Sequence, residues 1–338
     1  MMRNVKWWTL GVVLVFTLSA LLTGCGSSTP APAAQTPAQK EIVLKAYDNQ
    51  PEDYPTVQAL KYFAKIVGER TKGRIKIDVH PAAQLGAEKE AIEMTQLGTI
   101  AISRINTAPL VGFSPQMGVF SMPYLFRDLD HLYKVLDGPI GQKLSKELEK
   151  SNLVTLTYYD SGARRFYTKS KAVNTPEDMK GQKIRVQQSK VFVDTINVLG
   201  GSATTMGFGE VYSSLQTGII DGAENNPPSL YAMKHYEVCK FYALDEHSMV
   251  PEIVVMSKKV YDGLSPEDQK LLMEASKDMT IEYRKLWTAY TEKSLEELKK
   301  LGVTISKPDK EPFRKAVAPM YDHFPEYKEI VKEIQAVK

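Results

Sequence analysis

The sequence predicts an α/β fold divided into two lobes. Three observations carry this expectation. Runs that alternate polar and apolar residues take turns with segments whose apolar residues recur at helical spacing, the pattern of sheets sandwiched by helices. About 300 of the 338 residues follow a distinct N-terminal region, more than one ordinary core accommodates. A helical pattern from Ser265 to Lys300 would measure about 50 Å at 1.5 Å per residue, longer than one lobe.

The elements follow in order. Glu41–Tyr47 reads as a strand. Thr56–Arg70 carries Leu60, Phe63, Ala64 and Val67 on one helical stripe, with Gly73 just past its end. Arg74–His80 alternates strictly, as a half-buried strand does. Gly86–Leu97 is helical in pattern, short apolar strands are expected around Ile100–Ser103 and Val119–Met122, and Asp128 with Asp130 marks a helix start beside His131. Gly141–Lys150 reads as helix and Leu153–Tyr159 as strand. Thr175-Pro-Glu-Asp178 and Ser265-Pro-Glu-Asp268 both place a hydroxyl cap, a proline and a carboxylate where a helix begins. The pattern after Ser265 repeats through Leu271, Leu272, Ala275, Met279, Leu286, Tyr290, Leu295 and Leu298. It either crosses between lobes or breaks near Thr280.

The N-terminus reads as a targeting segment. Arg3 and Lys6 precede an apolar run of sixteen residues, Trp7–Leu22, short for a membrane span and suited to a signal-peptide core. It ends in Leu22-Thr-Gly-Cys25, which resembles a bacterial lipoprotein cleavage box with Cys25 as the lipidated mature N-terminus. Residues 26–39 are small and polar with three prolines, a flexible tether. Several acyl chains on one cysteine anchor stably where one does not. The expectation is an exported protein held on the outer face of the cytoplasmic membrane, in a periplasm or at a Gram-positive cell surface. Without residues 1–24 the net charge falls from +3 to +1, because Arg3 and Lys6 are lost; nothing in that balance suggests nucleic acid. Cys239 is then the one cysteine besides Cys25, so no internal disulfide is expected.

Lys183-Ile-Arg-Val186 sets an arginine between two β-branched residues. Strand alternation sends Ile184 and Val186 to one face and Arg185 to the other. Arg185 therefore either lies on a solvated strand face or meets a partner, and a planar guanidinium suits a carboxylate. Ligands of open α/β folds bind at the carboxyl ends of strands. Arg185 sits at such an end, Gly162-Ala-Arg164-Arg165 follows the strand ending at Tyr159, and Asn225-Asn226 follows the apolar run at Ile219-Ile220.

Catalytic signatures are absent: the chain has no GxSxG, GxxxxGK[ST], HExxH or GxGxxG. His235 and Cys239 stand four apart, but two candidate ligands do not make a metal site. Asp221 reads as turn chemistry beside a glycine. No enzyme activity, metal or cofactor is expected.

The chain resembles the substrate-binding proteins of TRAP (tripartite ATP-independent periplasmic) transporters, the DctP-type family. The resemblance runs from Ile42 to about Ile305, and its most specific stretches are Asp178-Met-Lys-Gly-Gln-Lys-Ile-Arg-Val186, Gly209-Glu-Val-Tyr-Ser-Ser-Leu-Gln-Thr-Gly218 and Asp221-Gly-Ala-Glu-Asn225. It implies a two-lobed periplasmic-binding-protein-like fold with a central ligand cleft, hinge strands and a long lobe-crossing helix. The implied lobes are 41–162 plus about 251–280, and 163–250 plus about 281–338. It further implies that Arg185 clamps a ligand carboxylate, that Arg164 and Asn225 assist, and that a TRAP permease receives the ligand for ion-gradient-driven uptake. Arg165 is expected to be structural, and the doubled Asn225-Asn226 leaves open which asparagine makes the contact.

Tyr158–Tyr167, Glu224–Asn226 and Asp245–Glu252 resemble the subgroup taking sugar acids such as glucuronate and galacturonate. Asn49, Glu88, Arg104, Asn106 and Glu252 are candidates to meet the hydroxyls. Each has a plainer reading; Glu88 as a first-turn helix residue, Arg104 as a surface charge and Glu252 as a strand start are examples. A C4-dicarboxylate would need a second cation, which Arg104 could supply. A sensor that reports its ligand to a membrane kinase would use the same fold.

Overall fold

A computed structural model describes residues 41–338. The expectations for the signal segment 1–24, for Cys25 and for the tether 25–40 lie outside the described residues. In chain order the strands are β1 (Ile42–Tyr47), β2 (Ile75–His80), β3 (Ile102–Asn106), β4 (Leu153–Tyr159), β5 (Arg165–Thr168), β6 (Lys183–Val186), β7 (Ser202–Thr205), β8 (Gly222–Asn225), β9 (Phe241–Ala243), β10 (Glu252–Ser257) and β11 (Thr304–Ser306). They form two sheets, β2-β1-β3-β10-β4 and β11-β9-β5-β8-β6-β7, each flanked by helices. The fold is thus the two-lobed α/β arrangement expected. Among the described residues no helix is long and apolar enough to cross a membrane.

Parallel pairing dominates where helices return the chain: β1 with β2 and β3, and β6 with β7 and β8. In each sheet one late or early strand enters antiparallel. β10 runs between β3 and β4, and β5 runs beside β8. These reversals matter for the site, because they bring the start of β10 and the start of β5 to the same edges as the carboxyl ends of their neighbours.

The chain passes between the sheets through Asp160–Arg164 and returns through Leu244–Pro251. The two passes lie side by side: Arg164 N donates to Ser248 O at 2.7 Å, and Ser161 Oγ donates to Val250 O at 2.6 Å. Gly162 turns the first pass at φ +60°, in the left-handed region that favours glycine.

The third connection is the helix Pro266–Lys300, unbroken over 35 residues. Ser265 Oγ accepts from Asp268 N at 3.2 Å, capping it as expected. Leu272, Ala275, Met279, Tyr283 and Trp287 pack into the core of the first sheet with Leu60, Phe63 and Val254. Farther along, Leu298 joins the core of the second sheet with Leu215, Ile220 and Tyr242. The helix therefore crosses and does not break. At Thr280 the hydroxyl bonds back to Ser276 O at 2.8 Å and meets Thr157 Oγ1 at 2.6 Å, so its polar group is satisfied without leaving the helix.

Several local expectations are corrected. Val119–Met122 is no strand: Pro115–Ser121 forms a 3-10 helix. Pro115 starts it, and Gly118 lies so close to the Tyr327 hydroxyl that a side chain would collide there. The strand placed at Ile100–Ser103 runs instead from Ile102 to Asn106, which carries Arg104 and Asn106 into the sheet. The helix opened by Thr175 lasts one 3-10 turn, Pro176–Met179, and ends before Gly181 at φ +77°. The C-terminal segment makes contacts on both sides of the cleft. Phe313, Val317 and Met320 share a core with Val191, Phe192 and Ile196, while Ile334 O meets His131 Nε2 at 2.9 Å.

Candidate functional site

The two sheets present their functional edges to one cleft. From the first sheet come Asn49 just past β1, Arg104 and Asn106 near the end of β3, and Glu252 at the start of β10. The register sets Glu252 opposite Asn106 on one side and Tyr159 on the other. From the second sheet come Arg185 in β6, Asn225 at the end of β8, and Arg164 just before β5, where Arg165 pairs with Asn225. Glu88 opens the helix Glu88–Leu97, and its Oε1 accepts from Asn106 N at 2.7 Å, which ties the helix start to the strand end. A small cavity between them is lined by Asn49, Glu88, Arg104, Asn106, Arg164, Asn225 and Glu252, and also by Gln50, Gln187, Phe208 and Ser229. Arg185 lines the adjoining mouth, which shares Glu88, Gln187 and Phe208 with that cavity.

The three arginines differ in how their charge is met. Arg104 is buried, with Nη2 donating to Asp48 and, at 2.6 Å, to Asn49 Oδ1; Nη1 lies 3.2 Å from Glu252 Oε2. Arg164 grips Glu224 through Nε and Nη2, donates from Nη2 to Glu224 O at 2.8 Å, and reaches Asn225 Oδ1 from Nη1 at 3.2 Å. Arg185 is 3% exposed, yet has no carboxylate within ion-pair distance among the described residues. Its Nε and Nη2 donate to a single carbonyl, Met206 O, at 3.2 and 2.8 Å, and its guanidinium lies over the Phe208 ring. Burial pulls its pKa below the usual arginine value, whereas carboxylates overcome burial and hold Arg104 and Arg164 above it. Ile184 and Val186 fill the core on the opposite side, as the alternation requires.

A buried relay stands behind Arg164. His247 Nδ1 lies 2.5 Å from Asp245 Oδ2, and its Nε2 lies 3.5 Å from Glu224. Burial alone would lower the imidazole, but Asp245 and Glu224 hold it up at about 9, so it is cationic at neutral pH. Burial would raise Glu224, but Arg164 and His247 hold it below the usual carboxylate range. The opposite wall is acid-rich: burial pushes Glu252 up to about 7 and raises Glu88, with Arg104 opposing both.

Two expectations are adjusted by this geometry. Asn226 does not line the cavity. Its Oδ1 caps the helix Pro227–Ala232 by accepting from Ser229 N at 2.8 Å, and the Tyr54 hydroxyl reaches it at 3.4 Å. Arg104 is no surface charge and no spare cation. Arg165 pairs with Glu246 at 2.6 Å, away from the cavity. Sequence reasoning gave no role to Asp48, Glu224, Gln50, Gln187, Phe208 or Ser229. For Glu224, its place inside the Asp221–Asn225 stretch was an available signal; for the others there was none short of the fold. Among the described residues no group of three or more His, Cys, Asp or Glu could hold a metal, and His235 and Cys239 are both buried.

The profile of bacterial extracellular solute-binding protein family 7, DctP, matches residues 47–328. A TRAP periplasmic solute-binding protein of Xanthobacter autotrophicus, solved with bound β-D-galacturonate, is 44% identical; the match covers 87% of this chain and all (100%) of that one, at a TM-score of 0.85. One from Pseudomonas putida, solved with bound D-glucuronate, is 40% identical over 88% of this chain and 98% of that one, at a TM-score of 0.86. A solute-binding protein of Chromohalobacter salexigens is 38% identical over 296 residues, 86% of this chain and 88% of the relative. The profile covers every cleft residue named above, and the chain belongs to the DctP family of extracellular solute-binding proteins, the ligand-capturing components of TRAP transporters.

Proposed function

We propose that the protein captures a monocarboxylate sugar acid, a hexuronate such as glucuronate or galacturonate, and delivers it to a TRAP permease for ion-gradient-driven uptake. The observation that carries this reading is the buried Arg185, which lacks a carboxylate partner and faces an acceptor-rich wall. A buried cation without a counter-charge costs several kcal/mol. A ligand carboxylate relieves that cost and gains charge-assisted hydrogen bonds of roughly 1.5–3 kcal/mol each. Arg185 is the main jaw of the clamp, with Arg164 and Asn225 beside it. Asn49, Glu88, Asn106 and Glu252 are matched to hydroxyls, since they offer acceptors and amides and no further free cation. The uronates bound by the relatives from Xanthobacter and Pseudomonas fit this division.

The charge balance argues against a C4-dicarboxylate. Arg104 pairs with Asp48 and Glu252, Arg164 pairs with Glu224, and His247 and Asp245 offset one another, while Glu88 adds a further carboxylate and Arg185 has none at ion-pair distance among the described residues. A second ligand carboxylate would add charge to a wall already in carboxylate excess, and Arg104 is spent on Asp48 and Glu252. Because the clamp residues are buried, entry requires the lobes to part, with the two passes near Gly162 and the long helix as the flexing connections.

Upstream of the fold, Cys25 carries the lipid that holds the protein at the membrane. Cys25→Ser should release it into the soluble fraction; a serine variant that still sediments with membranes contradicts the anchor. The ligand reading is tested by a thermal-shift panel of uronates, aldonates and dicarboxylates. Stabilisation by D-glucuronate or D-galacturonate and none by succinate is the expected result, and the reverse overturns it.

A further inference from the structure

We propose that Glu252 couples ligand capture to proton uptake: in the liganded cleft its carboxyl is protonated and donates a hydrogen bond to a ligand hydroxyl. This rests on the reading of the cleft as a sugar-acid site.

Glu252 opens β10 in the middle of the hydroxyl-facing wall and is 4% exposed. Its Oε2 is buried and accepts no hydrogen bond. The nearest cation is Arg104 Nη1 at 3.2 Å, but Arg104 directs its hydrogen bonds to Asp48 and Asn49. The charges facing Glu252 come from every neighbouring element: Arg104 on β3, Asp48 after β1, Glu88 on its helix and Arg164 on the lobe crossing. Tyr54, Tyr159 and Tyr283 also face it, and burial raises their hydroxyls well above the usual range, so they stay neutral. Burial already lifts Glu252 to about 7, opposed by the two arginines and assisted by Asp48 and Glu88.

A uronate brings one more negative charge into this surround and closes the cleft further to solvent. Both effects disfavour ionised Glu252. The step is a plain protonation from solvent, in which the carboxylate takes one proton and becomes the acid. The acid then adds an O–H donor beside the wall's amides, on an oxygen that accepts no hydrogen bond in the protein, and offers it to a hydroxyl that can accept. A proton on Glu252 also restores the cleft's charge to its value before the anion entered.

The test is calorimetric titration of the protein with D-glucuronate between about pH 5.5 and 8.5, in buffers of different protonation enthalpy. The sugar-acid carboxyl is ionised across this range and contributes no proton. Affinity should fall by up to about tenfold per pH unit above about pH 7, with proton uptake approaching one per ligand. Glu252→Gln, permanently neutral, should flatten the profile and abolish the uptake whatever its absolute affinity. An infrared difference spectrum, bound minus free, should show a carboxylic-acid C=O band in the wild type and none in the variant. A wild-type affinity that is independent of pH, without proton uptake, overturns the proton link and leaves the sugar-acid reading standing. A pH profile unchanged in Glu252→Gln overturns it equally. If the wild type binds no uronate at any pH, both readings fall.

Discussion

Replacing Arg185 by alanine removes a buried cleft cation that has no carboxylate within ion-pair distance among the described residues. Arg185 makes two hydrogen bonds, both to Met206 O, and lies over Phe208. In the empty protein the lost bonds and packing are offset by release of a desolvated charge, so the melting temperature should move by no more than about 3 °C. In the complex the loss is one-sided. A carboxylate left in the cleft without its cation costs about 3–5 kcal/mol, a loss of roughly two to four orders of magnitude in affinity. Calorimetry with D-glucuronate reads the second quantity and differential scanning fluorimetry the first. An affinity within tenfold of wild type would refute the clamp. A large fall in the melting temperature of the empty protein would instead make Arg185 a structural ion.

Arg104→Ala should behave in the opposite way: it strands Asp48 and Glu252 in the wall and should destabilise the empty protein by about 3–5 kcal/mol in urea unfolding, where a loss below about 1 kcal/mol would contradict the pairing. The two adjacent asparagines should separate cleanly. Asn226→Ala loses a helix cap and should cost about 1 kcal/mol of stability, whereas Asn225→Ala should weaken uronate binding with little change in melting temperature; an exchange of these phenotypes would reverse the assignment. His247 is held at about 9 in the fold against an ordinary value of 6.5, so its contribution is complete below about pH 6.5 and is lost as pH rises through about 9. Denaturant unfolding should therefore show stability falling by about 3 kcal/mol on this alkaline side, and the fall should vanish in His247→Gln; a flat profile would contradict the relay.

The fold was legible wherever periodicity was strong. The strict alternation before His80, the strand ending at Tyr159 and the capped helix from Ser265 all stand close to their expected bounds. The expected strand at Val119–Met122 fails because a short apolar run does not distinguish a strand from a tight helix, and the close approach of Gly118 to Tyr327 is remote in sequence. The site was partly legible for a related reason. Arg185, Arg164 and Asn225 stand at strand ends, and topology alone brings strand ends together. The state of each charge was not legible. Arg104 looked available because its partners, Asp48 and Glu252, are distant along the chain and meet it only once β1, β3 and β10 lie side by side. Likewise the spending of Asn226 on a cap depends on the helix that begins at Pro227, a detail the doubled asparagine conceals.

The most direct measurement is a crystal structure of the protein with bound D-glucuronate. The account predicts the ligand carboxylate in a two-pronged contact with Arg185 at about 2.8 Å, Asn225 and Arg164 beside it, and the hydroxyls turned toward Glu88, Asn106 and Glu252. A carboxylate seated against Arg104, with the hydroxyls on Arg185, would contradict it.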